Sequence, residues 1–140
     1  MSKIITYKGV VYNWQCDFNS HMNVQFYMAK YDEATWQFFG QLGITASYLR
    51  SSNTGMVAVE QHLKYYHELL AGDLVTIHTV LEEFKSRAII FRHKMYNPET
   101  ELLVAEGKMV GVHIDQSERK SVSMPDHILD NLKRLKEQQD

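Results

Sequence analysis

The chain of 140 residues has one cysteine, two prolines and no long apolar run. The lone Cys16 excludes an internal disulfide framework and any cysteine-based zinc module. A membrane-crossing helix needs about 18 or more consecutive apolar residues, which the sequence does not contain, so no membrane partner is expected. Two prolines and seven glycines leave no linker-like stretch, and one domain over residues 1–140 is expected. An excess of either charge is also missing. With 15 Lys and Arg against 17 Asp and Glu the net charge is −2, too few cations to argue for a nucleic-acid partner. Met1–Tyr12 carries an early lysine and no apolar core leading to a small-residue cleavage site, so it does not read as a signal peptide. A cytoplasmic location is therefore expected. What is present is ordinary for a globular protein, 44% apolar and 23% charged. A domain this size buries roughly two-thirds of its unfolded surface and needs no metal or disulfide staple.

The apolar pattern changes period along the chain. Ile4–Asn13, rich in β-branched and aromatic residues, reads as a strand, and polar Trp14–Asn23 as a loop. Val24, Met28, Tyr31, Thr35, Phe38 and Leu42 recur at helical spacing. Phe26, Tyr27, Ala34, Trp36 and Phe39 widen that stripe and predict a helix covered on most sides. Asn23 suits its N-cap and Gly40 or Gly43 its end. A helical turn follows at Thr45–Arg50, with a loop through Ser51–Gly55. From Met56 the period is two, giving strands Met56–Leu69, Asp73–Phe84, Ala88–Tyr96 and Leu102–Ile114. The last three form an antiparallel meander. Pro125–Lys136 reads as a closing helix, with Lys136–Asp140 as a fraying tail. The predicted class is α+β, a strongly bent antiparallel sheet around one long helix.

The chemistry-bearing stretch is Cys16-Asp17-Phe18-Asn19-Ser20-His21-Met22-Asn23-Val24. Asp17, Asn19 and His21 alternate just before a helix start, where a carboxylate, an amide and an imidazole can supply a base and orienting donors. The helix start adds unpaired N–H groups near Val24 and a dipole that favours developing negative charge. Those are the parts of an oxyanion site. On composition alone the same residues also suit a loop of Asx turns and a helix cap.

The run Asp17-x-Asn19-x-His21-x-Asn23, followed by Phe26-Tyr27 and Glu33, resembles the hotdog-fold thioesterases. It is similar to the Asp-x-Asn-x-His-x-Asn motif of acyl-ACP thioesterases, whose catalytic Glu stands at the spacing of Glu33. The 4-hydroxybenzoyl-CoA thioesterase family likewise carries an acid matching Asp17, a Tyr matching Tyr27, and an N–H matching Val24 that polarises the thioester carbonyl. Val59-Glu60-x-His62-x-x-Tyr65 and Gly72-Asp73 resemble later strands of the family. The string Asp17 to Val24 and Val59–His62 look most like small thioesterases of carnitine and betaine metabolism, thought to hydrolyse betainyl-CoA-type esters. Two departures stand out: residue 20 is Ser where Gly is common, and Asn23 is not followed by a second Asn.

The resemblance implies a hotdog fold, an acyl-CoA substrate, and a homodimer or homotetramer with sites between subunits. It makes Asp17 the base or nucleophile, with Asn19 and His21 orienting water or thioester, and Val24 N–H as oxyanion donor. Glu33 is either a second acid or a buried, paired one. Asn23, Tyr27, Glu60, His62, Trp14 and Trp36 are candidate substrate contacts. By alternation Glu60 and His62 share a strand face with Ala58 and Lys64, facing either solvent or the pocket. Trp14 and Trp36 are either core aromatics or cation–π surfaces for a quaternary ammonium. His67, His78, His93 and His113 lack metal-ligand spacing, so neither a metal nor a cofactor is expected. Lys85, Arg87, Arg92 and Lys94 are either solvated or meet the phosphates of coenzyme A. A non-enzymatic acyl-CoA-binding module and a hotdog dehydratase or hydratase are the alternatives.

Overall fold

The computed structural model describes residues 4–139; Met1–Lys3, where the leader question falls, and Asp140 lie outside the described residues. Strand β1 (Ile4–Val10) leads through a 3-10 turn, Asn13–Gln15, to helix α1 (Val24–Gln41). Helix α2 (Ala46–Ser52) follows, then strands β2 (Thr54–Tyr65), β3 (Leu74–Phe84), β4 (Ala88–Asn97) and β5 (Leu102–Asp115). A two-residue strand β6 (Lys120–Ser121) and helix α3 (Asp126–Gln139) close the chain. The antiparallel sheet has the order β1-β3-β4-β5-β2, with β6 added to β5. β2 and β1 are therefore its edges. The meander expected from the turns is present, and β6 was not legible in so short a segment.

Helix α1 starts where the sequence places it, because Asn23 Oδ1 accepts the Gln25 N–H at 3.1 Å. It ends at Gly43, whose φ of +94° suits a residue without Cβ. The Gly43 and Ile44 N–H groups there return to the carbonyls of Gly40 and Phe39. One stripe, Tyr27, Tyr31, Ala34 and Phe38, is buried against the sheet, with Phe39 beside it. Gln25, Ala29, Asp32, Glu33, Trp36 and Gln37 are exposed. The expectation of a helix covered on most sides is thus corrected: its extra aromatics widen the apolar stripe without burying the opposite face.

Gly107 on β5 lets α1 come close, since a Cβ there would crowd Leu63 and touch Tyr31. The buried His93 ties the two layers together. Thr35 gives its only proton to the Tyr31 carbonyl at 2.8 Å, so neutral His93 must donate from Nε2 to Thr35 Oγ1, also at 2.8 Å. Nδ1 then accepts from Thr79 at 2.7 Å, and Thr79 from Thr6 at 2.8 Å. The second buried histidine, His113, donates from Nδ1 to the Val122 carbonyl and accepts from Tyr48. Both are satisfied structural groups. Helix α3 buries Ile128, Leu132 and Leu135 and runs past the expected fraying point. Gln139 is the reason: it accepts from Leu81 N–H at 3.0 Å and donates to the Leu81 carbonyl at 2.8 Å.

Candidate active site

The loop before α1 is folded by its own polar side chains. Asp17 Oδ1 accepts the Asn19 N–H at 2.8 Å, and Ser20 N–H returns to the Asp17 carbonyl at 2.9 Å. Ser20 takes a φ of +67°, which explains why glycine suits this position. The loop is fixed from behind by Met22 N–H to the Leu69 carbonyl and Asn23 N–H to the Gln15 carbonyl.

Asn23 joins the acid to the helix start. Its Nδ2 donates to Asp17 Oδ2 at 2.9 Å while its Oδ1 caps the helix. The Asn23 bond first, then the Asn19 N–H, holds the Asp17 carboxyl below its ordinary range. The carboxylate is thus ionised at neutral pH, the form that either a base or a nucleophile requires. Gln25 and Phe26 N–H groups are taken by Asn23, whereas Val24 N–H has no acceptor among the described residues. Val24 itself is 58% exposed. An ionised carboxylate and a free helix-start N–H are therefore linked through one asparagine. That pairing can activate a water and receive the oxyanion of an attacked carbonyl.

A groove of about 700 Å³ opens beside this loop, with His21, Val24, Tyr27 and Tyr65 in its walls. His21 lies 4.0 Å from Glu68 across it. Tyr27 stands at right angles to Tyr65 with ring centroids 4.9 Å apart, and burial pushes its hydroxyl up to about 12. Asp17, Asn19, His21, Asn23, Val24 and Tyr27 are thus gathered at one place.

Other expected site residues lie apart from it. Glu33 faces β1, beside Tyr7 and Lys8, and stands nine residues beyond Val24, roughly 13.5 Å along the helix. It does not meet Asp17 within the protomer, and it is exposed rather than buried and paired. In β2 the pairing register shifts between Ala58 and Glu60, leaving Val59 as an extra residue. Glu60 and His62 consequently pair with Val110 and Lys108, on the sheet face turned away from α1, while Ala58 joins Gln61 beside the helix. The simple alternation had put Ala58 with Glu60. Trp14 is 70% exposed, stacked on Tyr12 and edge-on to Phe26. Trp36 is 44% exposed and lies beside Asp32 at a narrow slot between α1 and β2. Neither tryptophan is a core residue, and neither lines the groove.

Lys30 was missed by sequence reasoning. It is buried at 3% exposure, and its Nζ donates to Tyr7 Oη at 3.2 Å and to Gln15 Oε1 at 3.5 Å. Burial pulls its pKa down, against the opposing pull of Glu33. Its position three residues after Tyr27, on the apolar stripe, was the available signal. Tyr66 and Glu68 were also missed, because they follow the strand in an irregular segment.

Comparison with known proteins identifies the family and the fold. The family model of the thioesterase-like superfamily matches residues 10–132. An L-carnitine dehydrogenase/betainyl-CoA thioesterase of Agrobacterium fabrum is 27% identical over 124 residues, 89% of this chain. The chain spans 25% of the length of that relative. A betainyl-CoA thioesterase of Pseudomonas aeruginosa is 23% identical over 138 residues, covering 98% of this chain and 87% of that one. A Staphylococcus aureus protein solved in complex with CoA superposes with a TM-score of 0.91 at 18% identity, over 98% of this chain and 87% of that one. The curled sheet with its helix is the hotdog fold, and the chain belongs to the thioesterase-like superfamily.

Proposed function

We propose that this chain is an acyl-CoA thioesterase acting on a small acyl group, with betainyl-CoA as the leading candidate. The observation that carries the reading is the Asp17–Asn23–Val24 unit: a hydrogen-bonded carboxylate one asparagine away from a free helix-start N–H. Asp17 takes a proton from water as the water oxygen attacks the thioester carbonyl carbon. Val24 N–H holds the resulting oxyanion, and His21 and Asn19 orient the reactants. Collapse of the tetrahedral intermediate breaks the carbon–sulfur bond. The thiolate of CoA leaves with the proton from Asp17, and the free acid forms. Direct attack by the carboxylate, followed by hydrolysis of the anhydride, gives the same products.

The betainyl assignment is supported by the two relatives named for that activity. The protein acts, in this reading, in the cytoplasm as a one-domain protomer of a homodimer or homotetramer. Exposed apolar groups around the site support assembly: Phe18 is fully exposed, and Trp14 and Val24 are mostly so. An unpaired β2 edge carrying exposed Val59 supports it too. Glu33, Glu60 and His62 take part only if a partner subunit brings them to the Asp17 loop. Release of free thiol from betainyl-CoA and from butyryl-CoA by the purified protein tests the activity. No release from any acyl-CoA would overturn it.

A further inference from the structure

The groove beside Asp17 has an uneven charge. Glu68, Asp73 and Glu99 contribute carboxylates to its walls, and no Lys or Arg among the described residues lines it. Asp73 is engaged with the Leu70 N–H of its own turn at 2.8 Å. Glu68 is mostly exposed, and its side chain lies 4.0 Å from His21 Nε2. Such a wall repels the phosphates of coenzyme A. Its aliphatic lining, Met22, Val24, Leu70, Leu102 and Val104, accepts methyl groups, while the carboxylates favour a positive charge among them over a neutral group.

The same walls are aromatic. Tyr27 and Tyr65 meet edge to face and form a corner, with Tyr66 beside them held by a 2.8 Å bond to Glu106. Behind the corner lies Tyr31. The Tyr31 hydroxyl is completely buried and has no hydrogen-bond partner. Its electrostatic neighbours are Tyr65, Tyr27, Glu106 and Tyr66, so it sits among the groove tyrosines. Tyr31 is fully buried and does not line the groove, so contact with a ligand falls to the tyrosines in front of it. Aromatic side chains and nearby carboxylates with no lysine or arginine among them match a cation that has no N–H to give. A trimethylammonium group is such a cation, and aromatic cages recognise it through ring faces.

We infer that the groove corner of Tyr27, Tyr65 and Tyr66, with Glu68 in the same lining, is the subsite for a quaternary-ammonium acyl group. The inference rests on the thioesterase reading and names which residues select the substrate. It places the cation next to Val24, where a short acyl chain leaves its thioester carbonyl at the oxyanion site. It also moves the cation-binding role from Trp14 and Trp36 to tyrosines.

The test compares betainyl-CoA with 3,3-dimethylbutyryl-CoA, in which carbon replaces the charged nitrogen at equal shape. The wild type should favour the cation in kcat/KM by about tenfold or more, and Tyr65→Leu and Glu68→Gln should each cut that ratio severalfold. Both residues are partly exposed, so the variants should fold, which a thermal midpoint checks. An unchanged ratio in both variants would overturn the subsite. Tetramethylammonium binding, followed by NMR of the tyrosine ring signals, reads the subsite without turnover. Saturable shifts in the wild type that vanish in Tyr65→Leu support the inference, whereas their absence contradicts it. A protein that binds tetramethylammonium yet hydrolyses no thioester would sink the enzyme reading alone.

Discussion

Asn23 serves the helix and the site at once, accepting from Gln25 N–H with its oxygen and donating to Asp17 with its nitrogen. Its removal should therefore show in two readouts. Asn23→Ala should cost about 1 kcal/mol of stability through loss of the cap. It should also shift the acid limb of the kcat/KM profile to higher pH, because the largest influence lowering the Asp17 pKa is gone. Asn23→Ser keeps a capping oxygen but no donor of that reach, so stability should return while the pH shift stays. An unshifted acid limb in both variants would separate Asp17 from the chemistry. The loop itself was legible because its residue types announce it: an acid and amides that fold it and an asparagine that caps the helix. Lys30 had a signal in its place on the apolar stripe of α1, whereas Tyr66 and Glu68 had none, since their positions depend on how the segment after β2 packs.

At the scale of elements, the layers are held by His93, which connects α1 through Thr35 to β3 through Thr79. Burial pushes its pKa from the ordinary 6.5 down to about 3. The unfolded chain therefore binds the proton more tightly than the folded one. Stability supplied by this group is full above pH 6.5 and falls as pH drops toward 3, by up to ~1.4 kcal/mol per pH unit. Chemical denaturation between pH 7 and 4 should show a steeper loss in the wild type than in His93→Gln. Equal slopes would mean that His93 is protonated in the folded state. Most elements followed from period and caps, including both ends of α1. Strand β2 shows where that reasoning fails, because one extra residue, Val59, reverses every later side chain relative to strict alternation. A bulge changes no composition, so nothing in the pattern announced it. The end of α3 was misjudged for a related reason. Its polar tail looked unsupported until Gln139 met the backbone of Leu81, a contact between positions far apart in sequence.

The whole molecule presents an acidic, tyrosine-rich groove beside the Asp17 loop, an exposed aromatic patch around that loop, and an open sheet edge. An assembly through these surfaces should give a solution mass of at least twice the 16.4 kDa of one chain in sedimentation equilibrium. Val59→Lys, which sets like charges facing each other if two β2 edges pair, should weaken that assembly and lower activity in parallel. A fully active monomer would show that one chain completes the site by itself. The central claim, that the Asp17 carboxylate drives thioester hydrolysis, is tested most directly by thiol release from betainyl-CoA with wild type and Asp17→Asn side by side. The account predicts a fall in kcat of at least about 100-fold, the scale of a lost general base, with thermal midpoint and solution mass retained. An Asp17→Asn protein that hydrolyses its best substrate at the wild-type rate would contradict it.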